Sequence, residues 1–142
     1  MIRKLEKADT ERVMSIWLRG NLEAHPFIAE EYWISHYESV KGQLFQAEVY
    51  VLEKEGELQG FIGIADGYIA GIFTDSSCRS MGVGRRLIQW AKGQYGSLSL
   101  SVYQENTGAV RFYLREGFTV SREGVDQETG HIEYTMTWEK GL

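Results

Sequence analysis

The chain has 142 residues, 43% of them hydrophobic and 25% charged, with a formal charge of −5; this is enough for about one domain, residues 1–142, with a single sizeable core. The negative balance argues against nucleic acid or an anionic membrane surface as the main partner, and no window approaches the roughly 20 apolar residues of a membrane span. One cysteine, Cys78, excludes an internal disulfide and leaves no cysteine spacing for a metal. Since the start, MIRKLEKADTERV, has no apolar stretch of signal-peptide length, a soluble cytoplasmic protein, monomer or homodimer, is expected.

The stretch IRKLEK reads as a first strand, and Asp9 and Thr10 as N-caps of the helix that follows. From Glu11 to Leu22, Val13, Ile16 and Trp17 recur at helical spacing, with Met14 and Leu18 beside them. AHPF interrupts, because the residue before a proline is pushed out of the helical region. A second helix is predicted from about Ala29 to Phe45, with Trp33, Tyr37 and Leu44 among its apolar positions. EVYVLEKEGELQGFIGIAD reads as a hairpin turning at Glu55–Gly56. GYIAGIFTD, nearly all apolar, predicts a strand buried on both faces.

After the glycine stretch, Val83, Leu87, Ile88 and Ala91 give one helical face up to about Tyr95. SLSLSVY alternates: Leu98, Leu100 and Val102 point one way, Ser99, Ser101 and Tyr103 the other. Asn106 precedes a helix with Ala109, Phe112 and Tyr113 on one stripe, closed by Gly117. A last hairpin places Ile132, Tyr134, Met136 and Trp138 on one face. The order describes a mixed α/β (α+β) domain and not a purely parallel doubly wound sheet.

CRSMGVGRRL, between strand and helix, is the stretch most open to a chemical reading. A helix N-terminus presents unpaired N–H groups and a partial positive charge, which suit an anion. Gly82 and Gly84 remove Cβ atoms that would hold a phosphate away, and Arg79, Arg85 and Arg86 add charge. The spacing is neither Walker A nor the Rossmann fingerprint, and locally it reads equally well as a glycine turn.

Arg79-x-x-Gly82-x-Gly84, following IFTD and opening a helix, resembles the coenzyme A loop of the GCN5-related N-acetyltransferases. A second signature of that family follows in ENTGAVRFYLREGF: Asn106, Ala109, Tyr113 and Gly117–Phe118. The two opening helices and the closing hairpin also fit, so the resemblance spans essentially the whole chain. It implies a mixed central sheet with splayed parallel strands, the fourth and fifth, flanked by about four helices. Acetyl-CoA is then expected between YIAGIFT and LSLSVY. Its pyrophosphate would lie on the loop Arg79, Ser80, Met81, Gly82, Val83, Gly84 and Arg85, and its pantetheine arm along the backbone of Ile72, Phe73 and Thr74, as an added strand. Asn106, Ala109 and Tyr113 complete the expected cofactor contacts. The small face of Ser99 and Ser101 suits a neighbouring ligand or plain solvent.

The implied reaction is direct transfer of the acetyl group to a primary amine: a protein N-terminus, a lysine or a small amine. An alkyl ammonium, with a pKa of about 10.4, must first lose a proton. The thioester oxygen, as it becomes negative, needs a donor, expected as a backbone N–H near Phe73. The leaving thiolate needs an acid, by resemblance Tyr113. The places where many members carry a glutamate base hold Tyr68 and Ser101, which leaves His25, Glu48, Tyr103, Glu105 or ordered water. Met81 stands where a basic residue is usual. Substrate choice is expected from EAHPFIAEEYW and the Tyr68 hairpin, with Glu23, Glu30 and Glu31 read as a solvated face. An acyl-CoA-binding sensor without transferase activity is the alternative, and the absent glutamate is what favours it.

Overall fold

A computed structural model of the protein describes residues 1–79 and 81–141. Its elements are β1 (Ile2–Lys4), α1 (Thr10–Ala24), α2 (Glu30–Gln43), β2 (Glu48–Lys54), β3 (Glu57–Ala65), β4 (Tyr68–Thr74), α3 (Val83–Gln94), β5 (Ser97–Tyr103), α4 (Thr107–Arg115), β6 (Thr119–Val125) and β7 (Ile132–Glu139). The strands form one sheet in the order β1-β2-β3-β4-β5-β7-β6. Every pairing is antiparallel except β4 with β5. None of the described helices is long and apolar enough to cross a membrane.

Two dipeptides shape the centre of this sheet. Glu55, Gly56, Asp66 and Gly67 all have positive φ, at 53°, 78°, 52° and 79°. Such two-residue turns carry the twist that antiparallel strands need, and they fold β2, β3 and β4 back on one another. The Glu55–Gly56 hairpin is as expected; the second, at Asp66–Gly67, was equally marked by its Asp-Gly pair.

The sheet is covered on both faces. Val83, Leu87, Ile88 and Ala91 of α3, with Tyr113 of α4, pack against Leu98, Leu100 and Met136. Three residues of the predicted stripe of β7 join this core, Tyr134, Met136 and Trp138 opposite Val102, Leu100 and Leu98, while Ile132 at the start of the strand is exposed. On the other face, Val13, Met14, Ile16 and Trp17 of α1 and Trp33 of α2 close over Val49, Val51 and Phe61. The helical periodicities therefore mark two separate apolar layers.

Three expectations change. The first strand stops at Lys4, because the Arg3 guanidinium turns to Asp9 (2.8 and 3.0 Å) and Glu53 (3.2 Å) and Lys7–Asp9 coil into a 3-10 turn. Asp9 consequently does not cap α1; its carboxylate accepts from Arg3 and from the Glu6 N–H at 2.8 Å. Finally, β4 is not buried on both faces: only Ile69 is fully buried along it, since the far side of the strand opens onto a cleft.

Gly60 is where α3 meets the sheet. A Cβ there would fall 2.6 Å from the Phe73 carbonyl oxygen and 2.8 Å from Val83 Cγ1. Gly60→Ala is therefore expected to destabilise by about 1–3 kcal/mol. Gly42→Ala, on an open surface of α2, is expected to add about 0.5–1 kcal/mol. Opposite shifts of the melting temperature in the two variants check this.

The Arg3 pair holds the Asp9 carboxyl below the ordinary carboxylate range, against the opposing effect of burial. A folded pKa below the unfolded one stabilises at pH above about 4 and is lost as the pH falls through the folded value. Asp9→Asn is expected to lower stability at pH 7 by about 1–3 kcal/mol and to flatten the acid limb of a melting-temperature profile between pH 5 and 2.

Candidate active site

Strands β4 and β5 are bridged only at Tyr68–Ser99 and Ile69–Leu100, and diverge beyond. The phase of the β3–β4 ladder decides which backbone groups face the gap. Asp75 donates its N–H to the Gln59 carbonyl at 2.9 Å. Antiparallel ladders alternate, so Phe73 also turns its N–H and C=O toward β3. The close approach of its carbonyl to Gly60 fits that direction. Ile72 and Thr74 therefore face the gap with theirs. The register step between Gly63–Gly71 and Ile64–Ile69 leaves Ala70 as a bulge residue beside them. This corrects the expectation at Phe73: its N–H is engaged by the ladder, and the backbone donors that face the gap are those of Ile72 and Thr74, with the bulge residue Ala70 beside them.

The gap widens into a cleft of about 790 Å³ lined by α1, β4, β5 and α4. The Phe73 side chain forms part of its wall, stacked on Phe61 with ring centroids 5.2 Å apart. Two glycines make room for that ring. A Cβ at Gly71 would overlap it, and one at Gly20 of α1 would lie 3.0 Å from its edge. Ser101 lines the cleft, while Ser99 sits where β5 is still paired.

At one end the cleft runs into a second hollow of about 390 Å³, shared through Thr74, Arg79 and Phe112. Gly82, Val83, Gly84 and Arg85 form its helix end. Gly82 sits in the left-handed region, at φ 77°, immediately before α3, and a Cβ there would meet no protein atom. The turn demands glycine on conformational grounds, and the space in front of it is open. Val83 is 2% exposed, so only its backbone belongs to the hollow. Met81 is exposed and lies outside it, and Ser80 lies outside the described residues. Arg79 pairs with Glu23 at 3.1 Å and Arg85 with Glu116 at 3.8 Å. Arg86 is not part of the wall; Arg115, from the end of α4, is. Sequence reasoning missed Arg115, although its place two residues after Tyr113 was visible.

The second signature gathers at the other side of the cleft. Asn106 caps α4 by accepting the Ala109 N–H at 3.3 Å. Its amide nitrogen then faces His25 Nε2 at 3.3 Å. An amide nitrogen only donates, so Nε2 is the acceptor and Nδ1 carries the hydrogen. That Nδ1–H is buried and completes no hydrogen bond among the described residues, although the Asn21 carbonyl is near. Burial holds the His25 pKa below its ordinary value, against the effect of that carbonyl. The ring stacks on Trp33 at 5.0 Å and is neutral.

Tyr113 is 8% exposed, its ring held between Phe112 (5.1 Å) and Phe118 (5.7 Å). Its hydroxyl makes no hydrogen bond among the described residues, and the residue lines the cleft. Burial, with Tyr68 nearby, pushes its pKa well above that of a free phenol, so it is protonated at neutral pH. Tyr68 itself is exposed at the closed end of the gap and does not line the cleft.

Behind Tyr103 of the cleft wall two loops meet that the sequence reading did not bring together. Phe27, after α1, packs on Tyr103 (5.8 Å) and His131 (5.0 Å). Tyr103 donates to Asp126, and Tyr32 and His36 of α2 reach Glu128 at 3.2 Å. Glu133, opposite Tyr103 in register, also lines the cleft. Burial, then Asp126, raises its pKa, against Arg122. Of the proposed bases, His25 and Tyr103 line the cleft; Glu105 pairs with His131 at 3.1 Å, and Glu48 accepts the Tyr95 hydroxyl at the far end of the sheet. The alternation of IEYTMTWE, set against that of SLSLSVY, carried the signal for Glu133; the pairing register was what it lacked.

Comparison with known proteins agrees with this geometry. The acetyltransferase (GNAT) domain family matches residues 46–120. The peptidyl-lysine N-acetyltransferase YiaC of Escherichia coli is 31% identical over 140 residues, 97% of this chain and 96% of that protein. The solution structure of apo-form YjaB from Escherichia coli superposes with a TM-score of 0.86 at 26% identity, over 97% of this chain and 96% of that one. The PaiA N-acetyltransferase of Thermoplasma acidophilum, in complex with coenzyme A, shares the fold with a TM-score of 0.81 at 20% identity, over 98% of each chain. The chain belongs to the GNAT family and is an acetyl-CoA-dependent N-acetyltransferase.

Proposed function

We propose that this protein, working as one domain, transfers the acetyl group to the side-chain amine of lysine in proteins or peptides. The observation that carries the cofactor half is the splay of β4 from β5, which turns the backbone of Ile72 and Thr74 toward a channel ending at the N-terminus of α3. The acceptor half rests on the peptidyl-lysine activity in YiaC's name and on a cleft wall that holds the rings of Trp33 and Tyr103 and the carboxylates of Glu23 and Glu133.

The residues present fit acetyl-CoA. Ile72 and Thr74 offer an extended ligand the pattern of a strand edge. Val83, Gly84 and Arg85 offer N–H groups to a pyrophosphate without an intervening Cβ at Gly82. Arg79, Arg85 and Arg115 supply charge, and the Arg79–Glu23 pair must loosen for the first to take part. Asn106 and Ala109 keep α4 at the cleft wall, with Tyr113 facing inward. When bound, acetyl-CoA supplies an activated thioester. The backbone N–H of Ile72, or that of the bulge at Ala70, would face its oxygen, and Tyr113, neutral and desolvated, would supply the proton that the sulfur needs.

Acetyl-CoA at a hundredfold excess over Kd is expected to add about 2.7 kcal/mol, a rise of about 6–12 °C in Tm. The Arg85→Glu/Arg115→Glu double variant is expected to lose most of that rise while keeping the unliganded Tm; an unchanged rise would displace the phosphate site. Tyr113→Phe keeps the ring packing and removes the acid. It is expected to slow transfer to a lysine peptide by about 10²-fold or more at unchanged acetyl-CoA affinity, and wild-type turnover would remove the assignment.

A further inference from the structure

A primary amine reaches the enzyme protonated, and neither Tyr68 nor Ser101 can take its proton. We propose that Glu133 is the general base of the transfer, the group that deprotonates the acceptor ammonium; this rests on the acetyl-transfer reading above and extends it to a residue of β7.

The case is one of position and of elimination. Tyr134, Met136 and Trp138 point to the core shared with α3 and α4, so the alternation of the strand puts Glu133 on the opposite face, with Ser101 and Tyr103 of β5. It lines the same cleft as Tyr113. Among the described residues its carboxylate has neither an ion-pair partner nor a side-chain hydrogen bond. The other carboxylate of the cleft wall, Glu23, is held by Arg79 at 3.1 Å. His25 has its one lone pair committed to Asn106, and the Tyr103 hydroxyl is committed to Asp126. Among the described residues, Glu133 is the carboxylate of the cleft wall that no cation or side-chain donor holds.

Its surroundings tune it for that task. Burial and the neighbouring Asp126 disfavour its charge, while Arg122 favours it. Across β5, Tyr103 is a neutral phenol that faces Asp126; His131 is turned to Glu105, and His25 is neutral. A carboxylate whose charge is disfavoured by burial accepts a proton more readily than a surface glutamate.

The step balances. One ammonium proton passes to a Glu133 carboxylate oxygen, and the nitrogen lone pair forms the N–C bond as the C–S bond breaks. Tyr113 gives its hydroxyl proton to the sulfur. A second N–H proton leaves as the amide forms and restores Tyr113, while Glu133 releases its own to solvent.

The test is Glu133→Gln, assayed with acetyl-CoA and Nα-acetyl-lysine amide from pH 6 to 10. Transfer at pH 7 is expected to fall about 10²-fold or more in kcat. The deficit is expected to shrink as the pH nears the amine pKa of about 10.4, where the free amine forms unaided. The rise in Tm with acetyl-CoA is expected to stay at the wild-type value. Wild-type rates, or a loss confined to KM with the pH profile unchanged, would overturn the assignment. A second arm follows the Glu133 carboxyl carbon by NMR, identified by its absence in the variant, and expects titration above the ordinary glutamate range. Titration in the ordinary range overturns the base role whatever the acceptor. A wild type that binds acetyl-CoA but leaves this lysine probe untouched would sink the lysine reading, and the carboxyl titration would then decide on Glu133.

Discussion

Two parallel strands that pair at only two positions leave a row of backbone N–H and C=O groups without partners, and buried groups of that kind must be satisfied. In this protein β4 and β5 part after Ile69 and Leu100. The rest of the architecture either maintains that parting or makes use of it. The hairpins at Glu55–Gly56 and Asp66–Gly67 lock β4 to β3, and β7 locks β5 from the other side. The two halves of the sheet are thus each firmly paired, and the gap between them cannot close by local adjustment.

Glycines set the depth of the cleft. Gly20 and Gly71 let the Phe73 ring lie against α1 and β4, and Gly60 lets α3 settle on the same strand from the opposite face. The strand that presents backbone to the gap is therefore clamped on both sides. Electrostatics divides the cleft in the same economical way. Arginines from α3, α4 and the preceding loop gather in the hollow at the N-terminus of α3, while the carboxylates Glu23 and Glu133 and the rings of Trp33 and Tyr103 stand in the cleft wall. In that wall are groups whose protonation is set by burial: Tyr113 kept neutral, His25 kept neutral, Glu133 made more basic.

Membership in an acetyltransferase family answers the doubt raised by the missing glutamate on β4 and β5. The chemistry needs a proton acceptor within reach of the amine and places no demand on which strand supplies it. Because β7 lies next to β5 in the sheet although it is more than two dozen residues later in the chain, its Glu133 lines the same cleft as Ser101 and Tyr103 of β5.

Local signals were legible in the residues themselves: the helical stripes, the Asp-Gly and Glu-Gly turns, the alternation of β5 and β7, the glycine loop and the Asn106–Tyr113 run. Each depends on neighbours within about one turn or one hairpin, so spacing alone carries it. The site depends on longer relations that spacing does not carry. The ladder phase that turns Phe73 inward and frees Ile72 follows from the β3–β4 register. The tautomer of His25 follows from its meeting with Asn106, 81 residues away. Arg115 reaches the hollow at the N-terminus of α3, and Glu133 the cleft between β4 and β5, only because α4 and β7 pack where they do. Residue types and periodicities thus determined the elements and the family, whereas register and packing, which join distant segments of chain, decided which of those residues face the chemistry.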